Sequence, residues 1–402
     1  MTELLKSEIQ RFDLKPSPKV TMDEVIQMGA NALGGLRKLK ESLLIPKPAK
    51  IAPTFSIKEM CEILGIDRNQ LRSAQKKLNM LFDAELGKSK TTFSLENLFE
   101  LGESLRVFKS KPEGKKAFVL VVASYKGGVS KTTTAINLAH GLSLKGLGKG
   151  LVIDLDGQSS ASTLMGLSPE FEEDMMTVMD YIFGDVPSLR NCIQKSYWHN
   201  LDIISGSSAI HGAETYFAGQ LTKAANARQV YEYWKVLSDG LEDLKDEYAF
   251  IVIDTSPSLG FLTQNAMLAA DGLIAPLPNQ ALDVASMAQF WDVFSDNVNF
   301  FPSMKKKDYE FVEILMSKTP PESSDIGTEV KKWIKHSYGA HVADISIPDS
   351  VIASKVAAVY STVFEISERE LPKESYRRYK EPVQAYVDHI HQQILKAWSR
   401  ND

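Results

Sequence analysis

Ala117-Phe-Val-Leu-Val-Val-Ala-Ser-Tyr-Lys126-Gly-Gly-Val-Ser-Lys131-Thr-Thr133 is the stretch on which the fold of this chain turns. Residues 117–123 are an unbroken apolar run of strand length, the pattern of a strand buried on both faces. Two glycines and two lysines follow, and Thr134-Ala-Ile-Asn-Leu-Ala-His-Gly-Leu142 then reads as a helix. A strand, a glycine-containing loop and a helix in that order make a phosphate cradle. Glycine lets backbone N–H groups close on phosphate oxygens, and the helix N-terminus adds a favourable field. In this reading Lys126, Gly127, Gly128, Val129, Ser130, Lys131, Thr132 and Thr133 form the nucleotide loop. Lys131 reaches the β and γ phosphates and Thr132 places its hydroxyl on Mg²⁺. The common GxxxxGK(S/T) spacing is not met, because Tyr125 and Ser130 stand where it needs glycine.

Two further strands end in carboxylates. Gly150-Leu-Val-Ile-Asp154-Leu-Asp156 carries acids two apart, so both can face one side of an extended segment. Phe250-Ile-Val-Ile-Asp254 ends a second apolar run. Ligands of parallel sheets gather at the carboxyl ends of strands, where these acids lie. Apolar runs at 117–123, 150–154, 200–204, 249–253, 272–276 and 310–316 alternate with helical stretches. The pattern predicts an α/β fold, a P-loop NTPase with a mostly parallel twisted sheet flanked by helices.

KGGVSKTT at 126–133, DLDGQSSAS at 154–162 and IDTSPS at 253–258 together resemble the ParA/MinD superfamily of deviant Walker A ATPases. The resemblance covers roughly 117–400. QSSAS and the strand end Ala275-Pro276-Leu277-Pro278 look most like partition proteins of the ParA/SopA kind. It implies ATP and ADP as ligands with Mg²⁺, and a homodimer formed face to face on ATP. Lys126 matches the signature lysine that reaches the partner's nucleotide. Lys131 and Thr132 match the phosphate lysine and the metal ligand. Asp156 matches the residue that positions the attacking water, and Asp154 and Asp254 match acids around Mg²⁺. Pro276 and Pro278, at the ligand edge, are candidates to flank adenine. The family also implies slow hydrolysis stimulated by a ParB-type centromere-binding partner, DNA held nonspecifically by the ATP dimer, and a possible filament on DNA. Ser130, Gly157 and Ser256 depart from residues frequent in the family.

Upstream, Phe55-Ser-Ile-Lys-Glu-Met-Cys-Glu-Ile-Leu-Gly65-Ile-Asp67-Arg68-Asn-Gln-Leu71-Arg72 resembles a helix-turn-helix. Gly65 suits the turn and Asp67 the cap of the next helix. Arg68, Asn69, Gln70, Arg72 and Lys76 would face DNA. Lys88 and Lys90 fall in a small basic hairpin over 87–93, which gives winged helix-turn-helix order, as in the longer ParA subclass that represses its own operon. Lys318 and Lys355 are candidate nonspecific DNA contacts on the ATPase part. The expected domains are 1–50, an N-terminal helical and dimerisation segment; 51–110, the winged helix-turn-helix; and 115–402, the ATPase.

Bulk properties agree. Hydrophobic content of 44% and charged content of 24% describe a globular chain. The net charge of −5 conceals an excess of +7 over 35–116, so a polyanion site localised there is one reading and a solvated linker the other. Two cysteines, Cys61 and Cys192, make no metal or disulfide pattern, which weighs against a metal-cluster ATPase of the same superfamily. The N-terminal residues lack a signal-peptide core, and no apolar run reaches membrane length. A cytoplasmic, nucleoid-associated protein with no membrane partner is therefore expected. A MinD-like membrane cycle would need a basic amphipathic C-terminal helix, and a nucleotide-regulated repressor without a partition role is the remaining alternative.

Overall fold

The computed structural model describes residues 20–44, 50–80, 92–169, 174–320, 325–366 and 371–400. It divides into Met1–Lys50 and Ile51–Asp402. In the first unit, α1 (Met22–Leu44) starts at a reciprocal cap, in which Thr21 N donates to Glu24 Oε2 at 2.6 Å and Glu24 N donates to Thr21 Oγ1 at 3.3 Å. Val25, Ile26 and Met28 of this helix are exposed.

The second unit opens with β1 (Phe55–Ser56), α2 (Ile57–Leu64) and α3 (Arg68–Lys77), and continues after a gap with β2 (Thr92–Phe93) and α4 (Leu95–Leu105). Gly65 closes α2 in the left-handed region at φ 65°. Asp67 caps α3 through its Oδ1, which accepts from Asn69 N at 2.7 Å and Gln70 N at 2.9 Å. Met60, Leu64, Leu71, Leu95, Leu98 and Leu101 are the buried centre of this module. The expected hairpin over 87–93 is described only at Thr92 and Phe93, which pair antiparallel with Ser56 and Phe55. Lys88 and Lys90 lie outside the described residues.

Phe108 joins this module to the sheet domain. A Cβ on Gly102 of α4, or on Gly146, would lie 2.1 Å from the Phe108 ring. The ring is therefore wedged between two backbones that only glycine leaves open. One apolar cluster runs from Met60 and Leu71 through to Leu142 and Val387.

The sheet domain follows as β3 (Phe118–Val122), α5 (Lys131–Leu144), β4 (Gly150–Leu155), α6 (Ser160–Leu164), α7 (Val178–Phe183), β5 (Ile193–Lys195), β6 (Leu201–Ile204), α8 (Ala213–Asn226), α9 (Val236–Leu241), β7 (Phe250–Thr255), α10 (Phe261–Ala269), β8 (Gly272–Pro278), α11 (Ala281–Phe300), β9 (Phe311–Ser317), α12 (Asp325–Tyr338), α13 (Val351–Ala358) and α14 (Lys373–Arg400). The strand order is β5-β6-β4-β7-β3-β8-β9, parallel throughout except for β5. Each of the six expected strands is present within about two residues. Edge strand β5 was not expected; its three residues are partly exposed and carry no apolar run.

The alternation of strand side chains builds two cores. Leu120, Val122, Val152, Phe250 and Val252 face α5 and α14. Val119, Val121, Ile153, Ile251 and Ile253 face the side of α9, α10 and α11. The C-terminal helix is amphipathic, as its sequence shows, but Val383, Tyr386, Val387, Ile390, Ile394 and Trp398 are buried in the fold. Its apolar face is thus occupied internally. No described helix is long and apolar enough to cross a membrane.

Candidate functional site

The site forms where β3, β4, β7 and β8 end. β3 stops at Val122 and the chain turns through 124–130 into α5. Gly128, at φ 73°, supplies a left-handed turn inside the loop. Gly127 packs on Pro257, which would lie 3.8 Å from an added Cβ. Lys131 is 6% exposed, and its Nζ donates to the Lys126 carbonyl at 2.9 Å, so the loop is wrapped around its own lysine. Burial lowers the Lys131 pKa, with Asp254 and Asp156 partly offsetting it.

Ser130 occupies the position before α5 with φ 75° and ψ 27° and makes no side-chain cap bond. This left-handed backbone is the conformation that favours glycine, a feature the sequence alone did not expose. Replacing Ser130 with Gly should raise stability, by up to about 1 kcal/mol, since relief of the left-handed backbone outweighs the added freedom of the unfolded chain. Chemical denaturation of the two proteins measures this difference.

Parallel registry sets Asp154 of β4 directly beside Asp254 of β7. Their environments differ. Asp154 Oδ2 accepts from Ser162 N at 2.8 Å and Ser162 Oγ at 2.7 Å, and Oδ1 accepts from Asp156 N at 3.0 Å. Burial nevertheless raises its pKa to about 6. Both carboxylate oxygens of Asp254 are buried without a hydrogen-bond partner among the described residues. Its pKa is pushed well above the carboxylate range by burial first and then by Asp154, and Thr132 and Lys131 offset this only in part. An orphaned buried carboxylate beside a lysine and a hydroxyl is a place where a divalent cation fits, because the cation would supply the missing charge. Asp156 is half-buried and accepts from Gln158 N at 3.0 Å.

Ser162 and Gly206 also build the site, and the sequence reading gave neither a role. Ser162 Oγ bonds Asp154 and accepts from Gly206 N at 3.0 Å. A Cβ on Gly206 would sit 2.7 Å from the Asp156 carbonyl, so only glycine lets this loop approach. The QSSAS motif was a signal for Ser162; nothing local marks Gly206. Gly157 leaves room for His211, which would lie 2.7 Å from an added Cβ.

The model of an AAA domain family matches residues 117–301. Protein SopA of Escherichia coli K12 is 28% identical over 80% of this chain and 82% of its own. Chromosome partitioning protein ParA of Caulobacter vibrioides is 29% identical over 59% of this chain and 82% of its own. The chain is thus similar to partition proteins of the ParA and SopA kind. The solved structure of a partition protein shares the fold, with a TM-score of 0.62, 17% identity, and coverage of 89% of this chain and 97% of that one.

The remaining expected residues lie around this sheet edge and on the helices beyond it. Pro276 and Pro278 lie in buried β8, and their missing N–H groups cost no ladder bond. Ile274 faces its carbonyl to β3, accepting from Ala123 N at 3.0 Å, so residues 276 and 278 present the same edge beyond the end of β3. Buried Asn279 follows; its Nδ2 donates to Gly327 O at 2.9 Å and its Oδ1 has no partner among the described residues. Arg68, Asn69, Arg72 and Lys76 are exposed along α3. Gln70 is exposed too, although its Oε1 accepts from Asp67 N at 2.9 Å and completes the cap. Lys318 is exposed just past β9 at φ 47°, and Lys355 is exposed on α13.

Lys126 is placed in a way the sequence did not suggest. Its ammonium forms an ion pair with Asp283 in the first turn of α11.

Proposed function

We propose that this chain is an ATP-driven partition switch. It binds ATP in the 126–133 loop, pairs with a second copy, holds DNA in that state, and hydrolyses ATP slowly to release it. The observation that carries the reading is buried Lys131 and buried Asp254, with half-buried Thr132 beside them, at a glycine-containing loop, an arrangement that a polyanion and a cation would satisfy.

In this reading the loop amides and Lys131 take the phosphates. Thr132 and Asp254 hold Mg²⁺, which neutralises phosphate charge. Asp154 has three hydrogen bonds already, so its larger contribution is to fix Asp156 and Ser162. Asp156 orients the attacking water. Lys126, reaching the nucleotide of a second copy, completes the charge, so hydrolysis waits on association. Pro276, Pro278 and Asn279 border the base. A ParB-type centromere-binding protein is the partner that speeds release, and the helix-turn-helix module binds an operator through α3, making the chain a repressor of its own operon. Lys318 and Lys355 are the nonspecific DNA contacts on the ATPase part, and the protein acts at the nucleoid.

Binding to random-sequence duplex DNA, measured without nucleotide and with ADP or ATP, tests the reading. Salt-sensitive binding that needs ATP and is lost in Lys126→Gln is expected. Binding to a single operator alone, whatever the nucleotide, would leave a nucleotide-modulated repressor.

A further inference from the structure

We propose that Asp283 is a latch that holds Lys126 within its own subunit and thereby sets the threshold for ATP-dependent association of two copies. The proposal rests on the functional reading above. The Asp283 side chain is 4% exposed, yet its charge partner, Lys126, is 43% exposed and comes from a loop 157 residues earlier. Among the described residues this is the one ion pair of Asp283. The first turn of α11 adds a favourable field to the carboxylate. A lysine that must reach a second copy therefore starts out tied to its own chain.

Two observations bear on this tie: exposed side chains flank it, and the loop that carries it is braced by the phosphate lysine. Tyr125 and Leu282, the residues next to Lys126 and Asp283, are large apolar side chains that are 44% and 79% exposed. The backbone on which Lys126 is mounted is also bound to the phosphate lysine, through Lys131 Nζ and the Lys126 carbonyl. Phosphate that draws Lys131 away removes that brace from Lys126. Release of Lys126 then leaves a buried carboxylate without its cation, which opposes association until nucleotide has bound.

The test has two readouts. In the nucleotide-free chain, a short pulse of an amine-acylating reagent, read at Lys126 by mass spectrometry, should label Asp283→Asn about five-fold faster than the natural protein, with Asp283→Glu near the natural rate. With a non-hydrolysable ATP analogue, sedimentation should show Asp283→Asn associating about five-fold more tightly, about 1 kcal/mol. Circular dichroism checks folding, and Asp283→Ser replaces Asp283→Asn should the latter misfold. Unchanged labelling overturns the latch, because Lys126 would then not be held. Faster labelling with weaker association also overturns it, placing Asp283 in the contact between copies instead. Natural protein that never associates with any nucleotide defeats the functional reading and removes the threshold the latch would set. The labelling result then reports separately on whether Asp283 holds Lys126.

Discussion

Replacing Asp254 with Asn should make the ligand-free protein more stable while removing most of its response to Mg²⁺ and ATP. The two Asp254 oxygens are buried with no hydrogen-bond partner among the described residues and lie beside Asp154. An ionised group in that position costs free energy that a neutral amide does not, and about 2 kcal/mol is a reasonable scale at neutral pH. The sign in pH follows from the raised pKa values. An acid whose pKa is higher folded than unfolded imposes no penalty below its unfolded value, near 4. Stability then falls as pH rises through the folded value, which is about 6 for Asp154 and higher than normal for Asp254. The advantage of Asp254→Asn should therefore be small at pH 4.5 and large at pH 7.5. Urea unfolding at both values measures it. Thermal shift with Mg²⁺ and ATP should be large for the natural protein and small for the variant. A variant less stable than the natural protein at pH 7.5 would show that Asp254 is not an uncompensated charge. Stability gained at the expense of a site is the expected direction where strain and charge are stored for function.

The second large effect concerns Lys131. Lys131→Gln should weaken ATP binding by about 100-fold, the scale of a lost charge-assisted contact to phosphate, about 2.7 kcal/mol. Its effect on the ligand-free chain is separate. Lys131 helps to offset the charge of Asp254, so its neutralisation leaves that carboxylate worse compensated and lowers stability. The double variant Lys131→Gln with Asp254→Asn should recover this loss, a non-additive pair. Calorimetric titration with ATP and denaturation of the four proteins measure both terms. Additive stability effects would mean that the two groups do not interact across the loop.

Lys126 contrasts with both. It is more exposed than either and lies outside the buried constellation. Its substitution should leave nucleotide affinity of the single chain closer to normal than Lys131→Gln does. The same ATP titration would distinguish a lysine that binds from one that reaches elsewhere.

The sequence by itself determined what is local. An apolar run followed by KGGVSKTT and a helical stretch gives a strand, a glycine-containing loop and a helix in that order, and acids at the ends of apolar runs emerge at the same edge of a parallel sheet. The six main strands, the αL turn at Gly65 and the cap at Asp67 follow from neighbours a few residues apart. Only the tertiary structure decided the rest, because it depends on which distant residues share space. It gave Asp154 its bonds from Ser162 and left Asp254 with none among the described residues, although both acids end similar strands. It required glycine at 206, where the chain passes the Asp156 backbone, and at 102 and 146, where Phe108 is wedged. It put Ser130 into a left-handed backbone that its side chain does not favour. It also set Lys126 against Asp283, a pairing of residues 157 apart that no local pattern encodes.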